Sequence, residues 1–482
     1  MLTLLLHRTG PNIMVKLLIV GLVLSTLLIL LSKHYLLAFL PTLALLAAML
    51  LSRHPQVGIY ILVFLIPFGA FRKFSLAGVE INISWVIAIP LFLLVVARQL
   101  LSKSSFRQLA IPLWPWLALF FLVNIISTWL SPFQESAMRD VKLWLASFFY
   151  IALLVMLISL EGFKKVLPNV LIGSVFLSSF LGNLGFFFGL SLFTRTQNSG
   201  IFSRNLGGAI DANNLSLMVI ACLPLVVYRW LYAKSVWARL LYTAILANSV
   251  LAVGTTYSRG GFMIFLFTLV VMAIQFRHFF RVKHIGFGLL GLTLAVSTFV
   301  SLMPDSFWQR QSSLTSWGDS SLTRRGAYVG IAADAFMQRP LLGSGPDSFY
   351  HIFAKTHHAR ISKENGRILG RYAHNTYLEV LVGMGALGLL IFLLILGKAL
   401  LAFSRAKTYF RRSGLIEQAD FIASCQLFLF FVLVYLLIFS ETHHKFMLVG
   451  LVMSQLAIQY QQQHQQQKPL AATPTSGETA DG

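Results

Sequence analysis

Apolar runs of roughly 17–25 residues recur along the chain, each ended by a short polar or basic step. They predict helices near 14–32, 35–52, 56–70, 82–99, 110–130, 140–160, 165–193, 211–231, 237–255, 260–276 and 285–303, and again near 375–403, 420–440 and 445–460. Most are long enough to cross the roughly 30 Å of hydrocarbon in a bilayer. The predicted fold is therefore all-α, a polytopic membrane bundle of about 12–14 spanning helices. A β-barrel would show short alternating segments instead. One long polar stretch, residues 304–373, separates the two series of runs. The chain divides accordingly into N-terminal spans (1–193), core spans (194–303), a large loop (304–373), C-terminal spans (374–460) and a tail (461–482). The tail is Gln-rich, then rich in Pro, Thr and Gly, and is expected to be disordered.

Composition sharpens the membrane reading. Of 482 residues, 57% are hydrophobic and 11% charged, against about 25% charged in a soluble domain. The formal net charge of +22 comes from Lys and Arg gathered in short loops. Arg53, the segment Arg98–Lys103–Arg107, Lys164-Lys165, Lys234–Arg239, Arg277–Lys283 and Arg405–Arg412 fall in every second loop. That is a positive-inside pattern, reinforced by anionic headgroups. It excludes nucleic acid as the partner, because no basic soluble module interleaved with aromatics exists. Both termini are then cytoplasmic, and 71–82, 131–140, 194–210 and 304–373 lie on the opposite side. The last is basic, but loops beyond about 60 residues escape the charge rule. Cys222 and Cys425 sit in apolar runs and read as packing residues. Residues 14–31 read as a retained first helix rather than a cleavable signal.

Candidate chemistry gathers at one face. Ser258-Arg259-Gly260-Gly261 opens a span on the side opposite the basic loops. Ser258 suits an N-cap, the glycines would let a headgroup approach, and Arg259 either forks onto phosphate oxygens or snorkels to the interface. His374 and Asn375 open another span, where the imidazole either caps the helix or takes a proton from a sugar hydroxyl. Glu379, inside an apolar run, must be paired or functional. Arg204, Asp211 and Asn213 precede a third span; Asp211 reads as a cap, and the polar group would also suit carbohydrate hydroxyls. Within the large loop, Tyr328, Ile331, Ala332, Ala335 and Phe336 predict an amphipathic helix stopped at Pro340. Arg324 and Arg325 flank its apolar stripe, and spacing does not choose between them. The following Gly343-Ser344-Gly345 is a turn, with no strand before it to make a nucleotide loop. His351, His357-His358, His374 and His443-His444 show no metal-ligand spacing, so no metal is expected.

In order, Ser258-Arg259-Gly260-Gly261, Thr323-Arg324 with Tyr328, Pro340–Gly345, His374–Glu379 and Gly383–Gly385 resemble the motifs of the bacterial O-antigen ligase and polymerase superfamily. The resemblance covers roughly residues 195–400; Tyr328 stands where that family more often has Trp. It implies an inner-membrane glycosyltransferase acting at the periplasmic face, without metal, nucleotide or other cofactor. The donor would be a glycan on undecaprenyl diphosphate and the acceptor a sugar hydroxyl of lipid A-core or of another glycan, for lipopolysaccharide or exopolysaccharide assembly. Carried over, Arg259 and Arg324 hold the diphosphate and His374 is the general base. Arg204, Asp211, Asn213, Ser258, Arg325, Asn375, Tyr377 and Glu379 complete the candidate substrate contacts. A protein oligosaccharyltransferase is the alternative within the superfamily. A transporter or flippase is the rival of another class; it predicts ionisable residues spread through mid-membrane positions, whereas here they collect at one face.

Overall fold

The computed structural model describes residues 49–71, 73–76, 79–101, 111–197, 202–279, 285–312, 320–361 and 370–467, with Val23 and Thr42. The predicted span near 14–32, most of that near 35–52, and residues 468–482 lie outside the described residues. The helices are α1 (Pro55–Phe64), α2 (Ile83–Leu101), α3 (Trp114–Trp129), α4 (Gln134–Leu157), α5 (Leu167–Phe188), α6 (Ala212–Leu231), α7 (Val236–Thr255), α8 (Arg259–Gln275) and α9 (Ile285–Leu302). The long polar segment holds α10 (Asp305–Ser312), α11 (Ser320–Gln338), α12 (Phe349–Lys355) and α13 (His357–Ile361). The chain then runs through α14 (Thr376–Arg412), α15 (Ile416–Tyr435) and α16 (Lys445–Gln467). Among the described residues, seven helical segments are long and apolar enough to cross a membrane, and α1, α3 and α8 are shorter apolar helices. The protein is a polytopic helical membrane protein.

Two short antiparallel hairpins stand in segments expected to be plain loops. Strands β1 (Lys73–Leu76) and β2 (Val79–Asn82) pair, as do β3 (Thr194–Gln197) and β4 (Phe202–Asn205). The second is anchored by side chains that sequence spacing does not connect. Asn205 donates to Asn183 Oδ1 of α5 and Thr255 Oγ1 of α7, both at 2.9 Å. Asn183 in turn donates to Asn248 Oδ1 at 2.9 Å, and Asn248 to Ser179 at 2.7 Å. In an apolar surround each unpaired amide would be costly, so this network sets where β4 sits.

At the centre α6 and α15 lie side by side, with α14 and α16 against α15. Phe428, Leu429, Phe431, Val432 and Tyr435 of α15 are fully enclosed. Two helices run past their expected ends. α14 continues through Arg405–Arg412, and α16 reaches Gln467, correcting the tail expected to begin at 461. The reason is mutual cover: Tyr460 and His464 stack on Phe410, and the Tyr409 hydroxyl lies 2.9 Å from His464 Nδ1.

The helix ends beside Lys164-Lys165, Lys234–Arg239, Arg277 and Arg405–Arg412 meet at one end. Arg229 donates to the Lys164 carbonyl, and Asp420 receives the Tyr232 hydroxyl at 2.7 Å and His278 Nε2 at 2.8 Å, with Arg411 3.9 Å away. The long polar segment, the α3–α4 turn and the α15–α16 link meet at the other.

A break in α14 fastens the long polar segment to the bundle. At Gly385 the backbone turns to φ 66, ψ −166, a region only glycine enters readily. Residues 340–345 enter the gap and replace the missing helical bonds. Ser344 N–H donates to Val382 O at 2.8 Å, Gly345 N–H to Gly383 O at 2.9 Å, and Ala386 N–H to Pro340 O at 2.8 Å. Ser127 and Ser131 of the α3–α4 region donate to Leu342 O and Ser344 O. Non-helical backbone at membrane depth is tolerated only where protein satisfies it, and here the loop does so. A Cβ on Gly385 would stand 2.3 Å from Leu341 O. Gly385→Ala is therefore expected to lower stability by about 3 kcal/mol or more, from strain and overlap together. Thermal unfolding of the detergent-purified chain measures this; an unchanged midpoint would show that the break is not required.

Candidate active site

The turn Thr256–Tyr257–Ser258 joins α7 to α8 and is built for rigidity. Tyr257 takes φ 51, uncommon for a bulky residue, and is 1% exposed. Its hydroxyl lies 2.9 Å from Ser306 of α10. Two arginines grip the turn's carbonyls: Arg204 Nε donates to Thr256 O at 2.7 Å, and Arg310 Nε to Tyr257 O at 2.9 Å. Ser258 caps α8 by accepting the Gly261 N–H at 3.1 Å, and its hydroxyl lies 3.2 Å from that of Tyr435.

Arg259 is the first residue of α8 and is half-buried. It stands where the helix dipole and free N–H groups already favour an anion. The two glycines after it do not open room for a headgroup, which corrects the expectation. The Gly261 side-chain position is filled by Ser216 Oγ, 2.2 Å from a Cβ there, and that of Gly260 by Ile438. They let α8 pack closely on α6 and on the chain after α15.

Arg204 is 6% exposed and also donates to Asn213 Oδ1 at 3.2 Å. Burial lowers its pKa, partly offset by Asp211 and Tyr435. Both Arg204 and Asn213 thus serve to position the turn. Asp211 caps α6, accepting the Asn213 N–H at 2.8 Å, as its spacing suggested.

His374 is exposed, takes φ 49, and stands with its ring centroid 6.3 Å from that of Tyr328 on α11. The α11 helix forms as its periodicity predicts, with Tyr328, Ile331, Ala332 and Ala335 buried. Tyr328 packs edge-on against Phe349 and Phe353 of α12. Arg325 is half-buried; the side chain of Arg324 lies outside the described residues.

The residues beside His374 are pinned on both sides. Ala373 N–H donates to Glu379 Oε1 at 2.6 Å, and Asn375 N–H to Ser440 Oγ at 3.1 Å. The Ser440 hydroxyl donates to the same Glu379 oxygen at 3.1 Å. Asn375 caps α14 through Tyr377 N–H and Leu378 N–H. Tyr377 points its hydroxyl 2.9 Å from Leu433 O and packs on Phe392. Tyr377 and Asn375 are thus engaged in holding the helix start, and Glu379 holds the His374 backbone in its strained form. Removing that carboxylate gives a test of positioning. Glu379→Ala is expected to reduce turnover by about 10-fold or more, from loss of the acceptor for the Ala373 N–H, while Glu379→Gln restores most of it by keeping Oε1. Equal losses in both variants would point to another role.

One segment that the sequence reading passed over carries both helix starts. Ser258 and Gly260 meet Tyr435 and Ile438, while Thr376 N–H donates to Leu436 O and its hydroxyl to Phe439 O. The step from Tyr435 to Ser440 spans at most about 18 Å even fully extended. The signal available was the polar run Ser440–His444 between two apolar ones. The histidine pair there diverges: His443 faces Asp140 at 3.9 Å, and His444 Nε2 lies 3.0 Å from Asn214 Oδ1. Arg310 also went unrecognised, because nothing in its own segment marks it as a partner of Tyr257.

Residues 244–393 match the model of a family described as O-antigen ligase. This match, over about a third of the chain, supports the resemblance to the O-antigen ligase superfamily. The matched segment takes in Arg259, Arg310, Tyr328, His374 and the break at Gly385, and leaves Arg204 and the α15–α16 link outside. No curated protein matches the chain. The family indicates ligase- or polymerase-like activity on lipid-linked glycan and glycan acceptor substrates.

Proposed function

We propose that the protein is a glycosyltransferase that moves a glycan from undecaprenyl diphosphate to a sugar hydroxyl at the periplasmic face of the inner membrane, with both termini cytoplasmic. The observation that carries this reading is the pairing of two helix starts on one short segment. One presents Arg259 on a turn held by Arg204 and Arg310; the other presents His374. The first arrangement suits a diphosphate and the second a hydroxyl nucleophile.

In this mechanism the acceptor hydroxyl attacks the anomeric carbon in line and the bond to the diphosphate oxygen breaks, inverting that carbon. Arg259 and Arg324 offset the charge growing on the leaving diphosphate, where fixed donors near low-dielectric lipid act strongly. The hydroxyl is a poor nucleophile, and His374 takes its proton as the new bond forms.

The test is transfer by the purified chain in lipid, given a glycan on undecaprenyl diphosphate and a sugar acceptor. Lipid diphosphate should be released in step with transferred glycan. Translocation of the donor without its cleavage would establish a flippase instead. In the same assay Arg324→Ala is expected to lose about 10²-fold or more, and Arg325→Ala much less. Similar losses at the two positions would remove Arg324 from its assigned place. The surface glycan of a deletion strain separates the two family activities: single-repeat caps mark a polymerase, unattached full-length polymer a ligase.

A further inference from the structure

Resting on the transferase reading, we propose that the cavity beneath the Tyr372–Glu379 turn binds a neutral, hydroxyl-rich sugar unit of the acceptor. The cavity, about 330 Å³, lies between α4, the Pro346-Asp347 turn, the start of α14 and residues 440–443. That is the low end of the roughly 300–1,000 Å³ found for small-ligand sites, which suits one sugar ring better than a long chain.

Its charge differs from that of the rest of the molecule. In a protein of net charge +22, this cavity is walled by Asp140, Asp347, Glu379 and Glu441. The cations facing them are few. Arg139 is paired with Asp347 at 3.0 Å, and burial lowers the pKa of His443, against the raising effect of Glu441 and Asp347. Such a wall offers an anionic diphosphate little attraction, whereas the arginines around the start of α8 do attract it. A neutral polyol is favoured, because each ionised carboxylate only accepts and each sugar hydroxyl has a proton to give.

The inner lining points the same way. Trp144, 2% exposed, gives the cavity an apolar wall. Tyr372 offers a ring face, 41% exposed. Among the described residues, no three of the His, Cys, Asp and Glu side chains are grouped to hold a metal ion, so the carboxylates are spaced around a volume rather than gathered at a point. Tyr372 is two residues from His374, at most about 7 Å along the chain. A sugar held against it has its hydroxyls within reach of the proposed base.

The experiment is saturation-transfer NMR on the full-length chain in lipid nanodiscs, with glucose, galactose, rhamnose and N-acetylglucosamine as probes. At least one sugar should receive saturation from the wild-type protein. Thr442→Trp, which fills the cavity, should reduce that signal about tenfold, the scale of losing one charged hydrogen bond. Asp347→Asn should reduce it severalfold, with its backbone kept, since Asn tolerates the left-handed φ of 60 found there. Undecaprenyl diphosphate binding, followed by thermal shift, should persist in both variants and shows that they fold. No saturation of any sugar by the wild type, or equal saturation in all three proteins, overturns the assignment. Glycan transfer is measured on the same samples. Cavity-dependent sugar binding without transfer by the wild type supports the cavity and counts against the transferase. Transfer by the wild type with sugar signals indifferent to both substitutions does the reverse.

Discussion

Replacing His374 by Ala is expected to lower glycan transfer by about 10²–10⁴-fold, the usual contribution of a positioned general base. The loss should fall on turnover, with donor binding retained, because the imidazole is assigned to the acceptor. The backbone complicates the substitution in a useful way. His374 holds φ 49, a conformation in which Asn is among the best tolerated residues and Ala is not. His374→Asn therefore keeps the turn and the grip of Glu379 and Ser440 while removing the base. If both variants lose transfer and both still bind undecaprenyl diphosphate, the proton-transfer role stands. Full transfer by His374→Asn would sink it, and loss in the Ala variant alone would mark a conformational role.

Replacing Arg259 by Ala is expected to cost about 10²–10³-fold, comparable to removing one preorganised donor from a developing anion. Here the loss should appear in both donor affinity and turnover, since the diphosphate is charged before and during bond cleavage. Arg259 is half-buried at the first position of α8, so the helix and its Ser258 cap should survive the change. Arg204 makes the contrast. It is 6% exposed and bonds Thr256 O and Asn213, so Arg204→Ala should lower the unfolding temperature as well as activity, by leaving buried acceptors unpaired. Arg259→Lys should recover part of the affinity through charge alone, without the two-pronged geometry. Wild-type donor binding by Arg259→Ala would remove this residue from the diphosphate site.

The arrangement of Glu379 shows why residue type alone misassigns some groups. A carboxylate in an apolar run demands a partner or a task, and both answers were open from the chain. The partner is the Ala373 N–H together with the Ser440 hydroxyl, and the task is holding the neighbouring histidine. Tyr377 is similar: it sits in the motif beside His374, yet its hydroxyl is spent on Leu433 O. The glycines at 260 and 261 looked like room for a ligand and proved to be room for Ile438 and Ser216. In each case the competing occupant comes from a part of the chain far away in sequence.

What the sequence determined by itself was set by short-range forces. Apolar length placed the described spanning helices, because a bilayer demands about 20 apolar residues whatever lies beside them. Ser258 and Asp211 cap the helices they precede, since a cap reaches only two or three residues ahead; at α14 the cap is Asn375 and not His374, the cap its position suggested. The period of Tyr328, Ile331, Ala332 and Ala335 set the buried face of α11. Tertiary structure alone decided what joins distant segments. It brought Arg204 and Arg310 to the Thr256-Tyr257 carbonyls, and hung both helix starts on residues 435–440. It opened α14 at Gly385 to admit residues 340–345, and formed a carboxylate-lined cavity between α4 and the α15–α16 link. Those contacts depend on packing many helices at once, and a hydrogen bond between residues two hundred positions apart leaves no periodicity for a sequence to show.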